Sequence, residues 1–155
     1  MAYRNVVKND MDFLTKKSRE VTVFDAKLDQ LVEDMKETLE RENGVGLAAP
    51  QVGILRRLFI VDFGNDQAHD YREFINPVIL KTRGKNTDYQ EGCLSFPGRL
   101  FVVERPNYVK IKAQNKKGEP FEMALDDFMA RAVMHENDHL NGIVIPMIGQ
   151  EQEQE

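Results

Sequence analysis

The sequence carries one cysteine, Cys93, in 155 residues, which excludes an intramolecular disulfide and fits a reducing compartment. No apolar run approaches the ~18 residues of a membrane span, and the N-terminus MAYRNVVKND lacks the apolar stretch of a secretory signal. These absences predict a cytoplasmic protein without membrane association. Positive charge is not in excess either: 21 basic against 26 acidic residues give a net charge of −5. No chain-wide basic surface exists to hold a nucleic-acid backbone, so direct nucleic-acid binding is not expected. What remains, 41% hydrophobic and 30% charged, suits one folded domain with a real core. That domain is expected over residues 1–148, followed by an acidic, low-complexity and disordered tail over 149–155.

Two of the three histidines stand four residues apart in Met134-His135-Glu136-Asn137-Asp138-His139-Leu140-Asn141-Gly142. Upstream, Leu125, Phe128, Met129, Ala132 and Val133 recur at helical spacing and predict a helix with one apolar face. Continuing that stripe at about 100° per residue puts Glu136 near its middle, His139 within it and His135 at its edge. An unpaired carboxylate buried there costs several kcal/mol, so a partner of compensating charge is expected. In His-Glu-x-x-His, two imidazoles on one face reach a single divalent ion while the glutamate handles bound water. So short a pattern also arises by chance on solvated helices. The burial of Glu136, and the helix stop at Asn141-Gly142 just past the second histidine, favour the metal.

Elsewhere the chain reads as mixed helix and strand. Tyr3 to Val7 and Val21 to Phe24 are short β-prone pieces, separated by a solvated cluster from Lys16 to Glu20. Asp25 is placed to cap a helix carrying Leu28, Leu31, Val32, Met35 and Leu39 at helical spacing, with Asn43-Gly44 as its stop. The small residues of Gly44 to Gly53 suit a segment whose backbone approaches something closely. Leu58 to Val61 and Phe74 to Leu80 read as strands, the second placed at an edge or bulge by Pro77. His69, among polar neighbours, reads as an exposed loop residue. Leu100 to Val103 and Tyr108 to Ala113 are further strands, and Asn115 to Gly118 is a turn into Phe121 to Ala124. The architecture predicted is α+β, with antiparallel strands packed around the central motif helix and one further, N-terminal helix.

A third ligand is needed. Taken alone, Cys93 in Gln90-Glu91-Gly92-Cys93-Leu94-Ser95 reads as an inert buried thiol. Beside the helix motif, one Cys and two His make three protein ligands and leave a fourth position open to water, the pattern of a catalytic site.

Three segments, Gly44-Val45-Gly46-Leu47-Ala48-Ala49-Pro50-Gln51, Glu91-Gly92-Cys93-Leu94-Ser95 and His135-Glu136-Asn137-Asp138-His139-Leu140, together resemble the peptide deformylases. The resemblance runs from the first helix to Gly142. It implies a metal-dependent hydrolase that removes the N-formyl group from formylmethionine at the start of nascent polypeptides and releases formate. It implies Cys93, His135 and His139 as metal ligands, with Fe2+ the native ion and Zn2+, Ni2+ or Co2+ as substitutes. Glu136 becomes the general base and then acid, while the Gln51 amide and the Leu94 backbone N–H meet the developing oxyanion. The main chain at Val45 and Gly46 pairs with the extended substrate, and Val45, Leu94, Phe128 and Ala132 line a pocket for its methionine. Glu91 and Arg105 resemble an ion pair that steadies the cysteine segment.

The partners implied are N-formylmethionyl nascent peptides, with transient proximity to the ribosome. The C-terminal docking helix of many relatives is not expected in the short stretch after Gly142. Two positions depart from the family pattern: Met134 stands where glutamine is frequent, and Leu100 where arginine is frequent, with Arg99 one place earlier. Two rival readings share part of the pattern. A zincin-type metallopeptidase normally takes its third ligand downstream of the helix, where no further histidine follows His139. A non-catalytic module holding a structural metal has no need of Glu136 and Gln51.

Overall fold

The computed structural model describes residues 3–153. Helix α1 (Met11–Leu14) is a single turn capped by the Asp10 carboxylate. In α2 (Ala26–Glu42), Asp25 accepts from the Leu28 amide at 3.0 Å, and Asn43 ends the helix in the left-handed region at φ 58°. Its five expected apolar residues are all buried.

The sheet contains β1 (Gly46–Ala48), β2 (Leu58–Asp62), β3 (Tyr71–Cys93), β4 (Phe96–Gln114) and β5 (Pro120–Asp126), hydrogen-bonded in that order and antiparallel throughout. A 3-10 turn, Ala49–Val52, follows β1. Strand β2 explains the sandwich. Alternate side chains point to opposite faces, so Leu58 and Ile60 join α2 in one core, while Phe59 and Val61 join Val133 and Leu140 of α3 (Asp127–Leu140) in another. A strand with both faces covered is apolar without alternation. Stacking of Phe59 on Phe74, with centroids 4.8 Å apart, fixes the side facing α3. Helix α3 packs against β1, β2, β4 and β5, and so becomes the element around which the strands gather.

Several expectations need correction. Leu125 belongs to β5, opposite Val109, and Phe128 is 52% exposed, so the apolar face of α3 is narrower than the spacing suggested. Leu100 to Val103 and Tyr108 to Ala113 are parts of one strand, β4, in a long hairpin with β3 whose register slips four times. One slip, between Ile75 and Val78, accommodates Pro77 at a bulge. Among the described residues, Tyr3 to Val7 and Val21 to Phe24 are extended connections and not strands. The Asn76 side chain holds both the amide and the carbonyl of Val21 at 2.8 Å. After α4 (Ile145–Ile148), β6 (Gln150–Glu151) pairs with β4, and Arg99 grips the Glu151 carboxylate through two 2.8 Å bonds. The tail expected to be disordered thus includes a paired two-residue strand at 150–151, and residues 154–155 of it lie outside the described ones. No helix among the described residues is long and apolar enough to cross a membrane.

Candidate active site

Residues 93 and 96 pair across a two-residue turn, Leu94-Ser95, which closes the β3–β4 hairpin and delivers Cys93 to the face of α3. His135 and His139, one helical turn apart, meet it with ring centroids 5.3 Å from each other. Donor atoms of Cys93, His135 and His139 all lie within 4.8 Å of one another, and Cys93 Sγ is 3.4 Å from His139 Nε2. The His135 Nδ1 edge faces Glu91 Oε1 at 2.9 Å, so Nδ1 donates to that carboxylate and Nε2 is the nitrogen left to hold an ion. One thiolate and two imidazoles suit a borderline divalent ion, and three protein donors leave a position open. A further observation fits: Glu136 Oε1 is buried with no hydrogen-bond partner among the described residues, so a polar atom beside the three donors is left unsatisfied.

The surrounding charges explain how each group is set. Burial alone would raise the Glu91 carboxyl, but hydrogen bonds from His135 and Arg105 and the charge of Arg105 hold it at about 2. Burial opposes the charged form of both histidines. It prevails at His139, pushed well below the usual imidazole value, whereas Cys93, Glu91 and Glu136 hold His135 well above it. For Glu136 burial is the main cause, and the carboxyl is pushed up to about 7. A carboxyl that exchanges its proton near neutrality is suited to proton transfer.

A cleft of about 570 Å³ opens over these groups, with Val45, Gly46, Leu94, Phe128 and Ala132 in its walls. Cys93, His135, Glu136 and Gln51 also reach it, and His139, 1% exposed, lies beneath. Gln51 sits in the 3-10 turn, where its Oε1 accepts from the Ala48 amide at 2.9 Å. Its amide N–H groups therefore point to Ser95 Oγ, at 3.1 Å, and to Cys93 Sγ, at 3.5 Å. Gly46 is the close approach that the small residues of this segment predict: a Cβ there would stand 2.6 Å from Glu136 Oε2. On β1, bonded to β2, one edge remains unpaired among the described residues.

Glu91 and Arg105 form the expected pair, at 2.7 and 3.1 Å, both buried. Three participants escaped the sequence reading. Asp138 accepts from Arg105 at 2.8 Å, Ser95 orients Gln51, and Arg131 binds Glu91 at 2.6 Å. The signal for Arg131 was its place four residues before His135, on the same helical face. At the two departures, Met134 packs with Val109 and Ala130, while Leu100 lines the cleft rim beside an Arg99 already engaged by Glu151.

The sequence profile described as Polypeptide deformylase matches residues 3–154. A peptide deformylase of Clostridium botulinum is 55% identical over 142 residues, 92% of this chain and 93% of the relative. Peptide deformylase 1 of Bacillus subtilis is 45% identical, over 93% of this chain and 88% of the relative. Among solved structures, the peptide deformylase of Thermotoga maritima superposes with a TM-score of 0.88 at 42% identity, covering 96% of this chain and 97% of that one. A Synechococcus elongatus peptide deformylase in complex with actinonin gives 0.86 at 35% identity, over 92% and 76%. The profile match and these relatives span nearly the whole chain, which therefore belongs to the polypeptide deformylase family, metal-dependent hydrolases that remove N-formyl groups from nascent peptides.

Proposed function

We propose that this chain hydrolyses the formyl group of N-formylmethionyl nascent peptides in the cytoplasm, with Cys93, His135 and His139 holding one divalent ion, Fe2+ in the native enzyme. The convergence of these three donors beside a buried Glu136 whose Oε1 has no hydrogen bond among the described residues is the observation that carries the reading. A bound ion supplies a Lewis acid and lowers the pKa of its water. Zn2+, Ni2+ and Co2+ fit the same donors.

The chain's own residues do the rest. Glu136, beside His135 Nε2 at 4.0 Å, takes the proton of the attacking water and returns it to the leaving amine. Gln51, its oxygen occupied by the Ala48 amide, can present only N–H to the growing oxyanion, and the Leu94 backbone N–H on the adjoining turn supplies a second donor. Losing one such donor commonly costs on the order of a hundredfold in rate or more. The free edge of β1 at Gly46, with the main chain of Val45 just before it, accepts the extended peptide by strand addition, and the apolar wall of Val45, Leu94, Phe128 and Ala132 receives its methionine. We place the whole catalytic domain at residues 1–148.

Anaerobic purification with iron, followed by assay of formate release from formyl-Met-Ala-Ser, tests the reaction. No formate from the iron-loaded protein would overturn it. Cys93→Ser tests the ligand set: the variant should lose most of its metal on dialysis, and undiminished metal content would remove Cys93 from the site.

A further inference from the structure

Glu91 is held by two buried guanidinium groups. Arg105 alone forks onto it, through Nε to Oε2 and through Nη2 to Oε1, and turns its remaining nitrogen to Asp138. Yet a second guanidinium, Arg131, only 7% exposed, reaches Oε2 at 2.6 Å. Arg105 is shared with Asp138, so the second guanidinium balances the two carboxylates, but balance alone does not say why it reaches Glu91 at this place. The geometry of Arg131 supplies the reason. Its Nη1 also reaches the Val103 carbonyl and its Nη2 the Thr87 carbonyl, both at 2.8 Å, so one planar group ties Glu91 to β4 and to β3 at once.

The two carboxylate oxygens have different partners. Oε2 is held from two directions, by Arg105 and Arg131, whereas Oε1 accepts from Arg105 and from His135 Nδ1. With Arg105 as its only anchor, the carboxylate could swing about that fork. The second grip on Oε2 removes this freedom and keeps Oε1 aimed at the imidazole. Arg131 also forms part of the cleft wall, with Phe128 and Ala132 beside it and its guanidinium 5.6 Å from the ring of Tyr89.

We propose that Arg131 is a positioning residue for the metal centre: by locking Glu91 to the β3–β4 hairpin it fixes the orientation of the His135 ring at the floor of the substrate cleft. This rests on His135 being a metal ligand. Groups that orient a ligating imidazole are commonly worth on the order of tenfold to a hundredfold in metal affinity or activity.

The test uses Arg131→Met, which keeps the stem and removes every donor, and Arg131→Lys, which keeps the charge and loses the planar fork. Each is loaded with Co2+. The readouts are the thiolate-to-cobalt charge-transfer band, the d–d bands, Co2+ affinity by chelator competition, and kcat and KM on formyl-Met-Ala-Ser. Both variants should keep the charge-transfer band, because Cys93 is untouched, yet show altered d–d bands. Co2+ affinity should weaken on the order of tenfold or more. The loss of activity should fall on kcat with little change in KM. Unaltered d–d bands and affinity in Arg131→Met overturn the proposal, as does full recovery of both in Arg131→Lys, since charge without the fork would then suffice. Should Arg131→Met fail to fold, Arg131→Lys decides by the same readouts. No charge-transfer band in the unmodified protein would overturn the ligand assignment itself, and with it the role given to Arg131, a failure read on a separate sample.

Discussion

Helices α2 and α3 flank the same sheet and differ in what they bury. α2 buries five apolar side chains and two polar ones, Asp34 and Thr38, each with a partner: Arg4 and Gln30 for Asp34, the Asp34 carbonyl for Thr38. α3 buries Arg131, His135, Glu136, Asn137 and His139, and leaves Glu136 Oε1, Asn137 Oδ1 and His139 Nδ1 without a protein partner among the described residues. α2 also leaves one buried atom unpartnered, Glu37 Oε2, so the contrast is one of kind: the free atoms of α3 lie on and beside the two candidate ligands His135 and His139. If that contrast holds, removing the α3 carboxylate should abolish activity without harming the fold. Glu136→Gln keeps the shape and loses the base, and formate release should fall on the order of a hundredfold to ten-thousandfold. Activity within a few-fold of the unmodified enzyme would place the proton transfer elsewhere.

The converse substitution belongs on α2. Met35 is fully buried in the core shared with Leu47 and Ile60. Met35→Ala should cost about 2–5 kcal/mol of stability through lost burial and the cavity left behind. At this chain length that lowers the melting temperature on the order of 5–15 °C. With metal bound and below the transition, kcat should stay as it was. A collapse of kcat in a folded Met35→Ala enzyme would mean that the two faces of the sheet are not independent.

The same contrast has a pH signature, because Glu136 and Glu91 are displaced in opposite directions. Glu136, raised to about 7 in the fold, keeps its proton where the unfolded chain has lost it. Stability contributed by this group is therefore lost as pH rises from the ordinary carboxyl value of 4.5 to about 7. Glu91, held at about 2, contributes stability that is present above 4.5 and lost as pH falls through about 2. In the metal-free protein, Glu136→Gln should gain on the unmodified chain by on the order of 3 kcal/mol between pH 4.5 and pH 7, and by nothing further below that window. Urea midpoints at a series of pH values measure it. A difference that stays flat across the window would show that Glu136 is solvated as an ordinary surface carboxylate.

How much of this was legible depends on the range of the interaction. The period and caps of α2 are local, so Asp25, the apolar spacing and Asn43 together define it. Cys93 and Gln51 were placed by the three-segment resemblance, and the structure brings Cys93 to the histidines and Gln51 to Cys93. Leu125 misled because a strand ending at Asp126 runs directly into α3, so one apolar residue satisfied either period. The long β3–β4 hairpin was hidden by bulges that carry it past Pro77 and Pro106, where local rules predict a break. Arg131 and β6 were invisible for a different reason. Arg131 bonds to Thr87, 44 residues away, and Glu151 to Arg99, 52 residues away, and no local pattern encodes either contact.

Gly46 joins the two kinds of information, since its small size was legible and its reason was not. The residue begins β1 with ordinary backbone angles, so nothing but space constrains it. A methyl group there would stand 2.6 Å from Glu136 Oε2 and 2.9 Å from both Cδ and Cγ, closer than real contacts allow. Something must then move. The strand is fixed by its pairing with Val61, so the displacement falls on the Glu136 side chain, whose Oε1 has no hydrogen bond to hold it among the described residues. Gly46→Ala should therefore fold with a melting temperature near that of the unmodified protein and lose activity on the order of tenfold to a hundredfold, since a misplacement near 1 Å has that effect. Unchanged kcat would show that Glu136 can work from a second position. A large fall in stability with normal kcat would show that the methyl group is accommodated by the strand, and that the close approach serves the fold of β1 more than the proton carrier on α3.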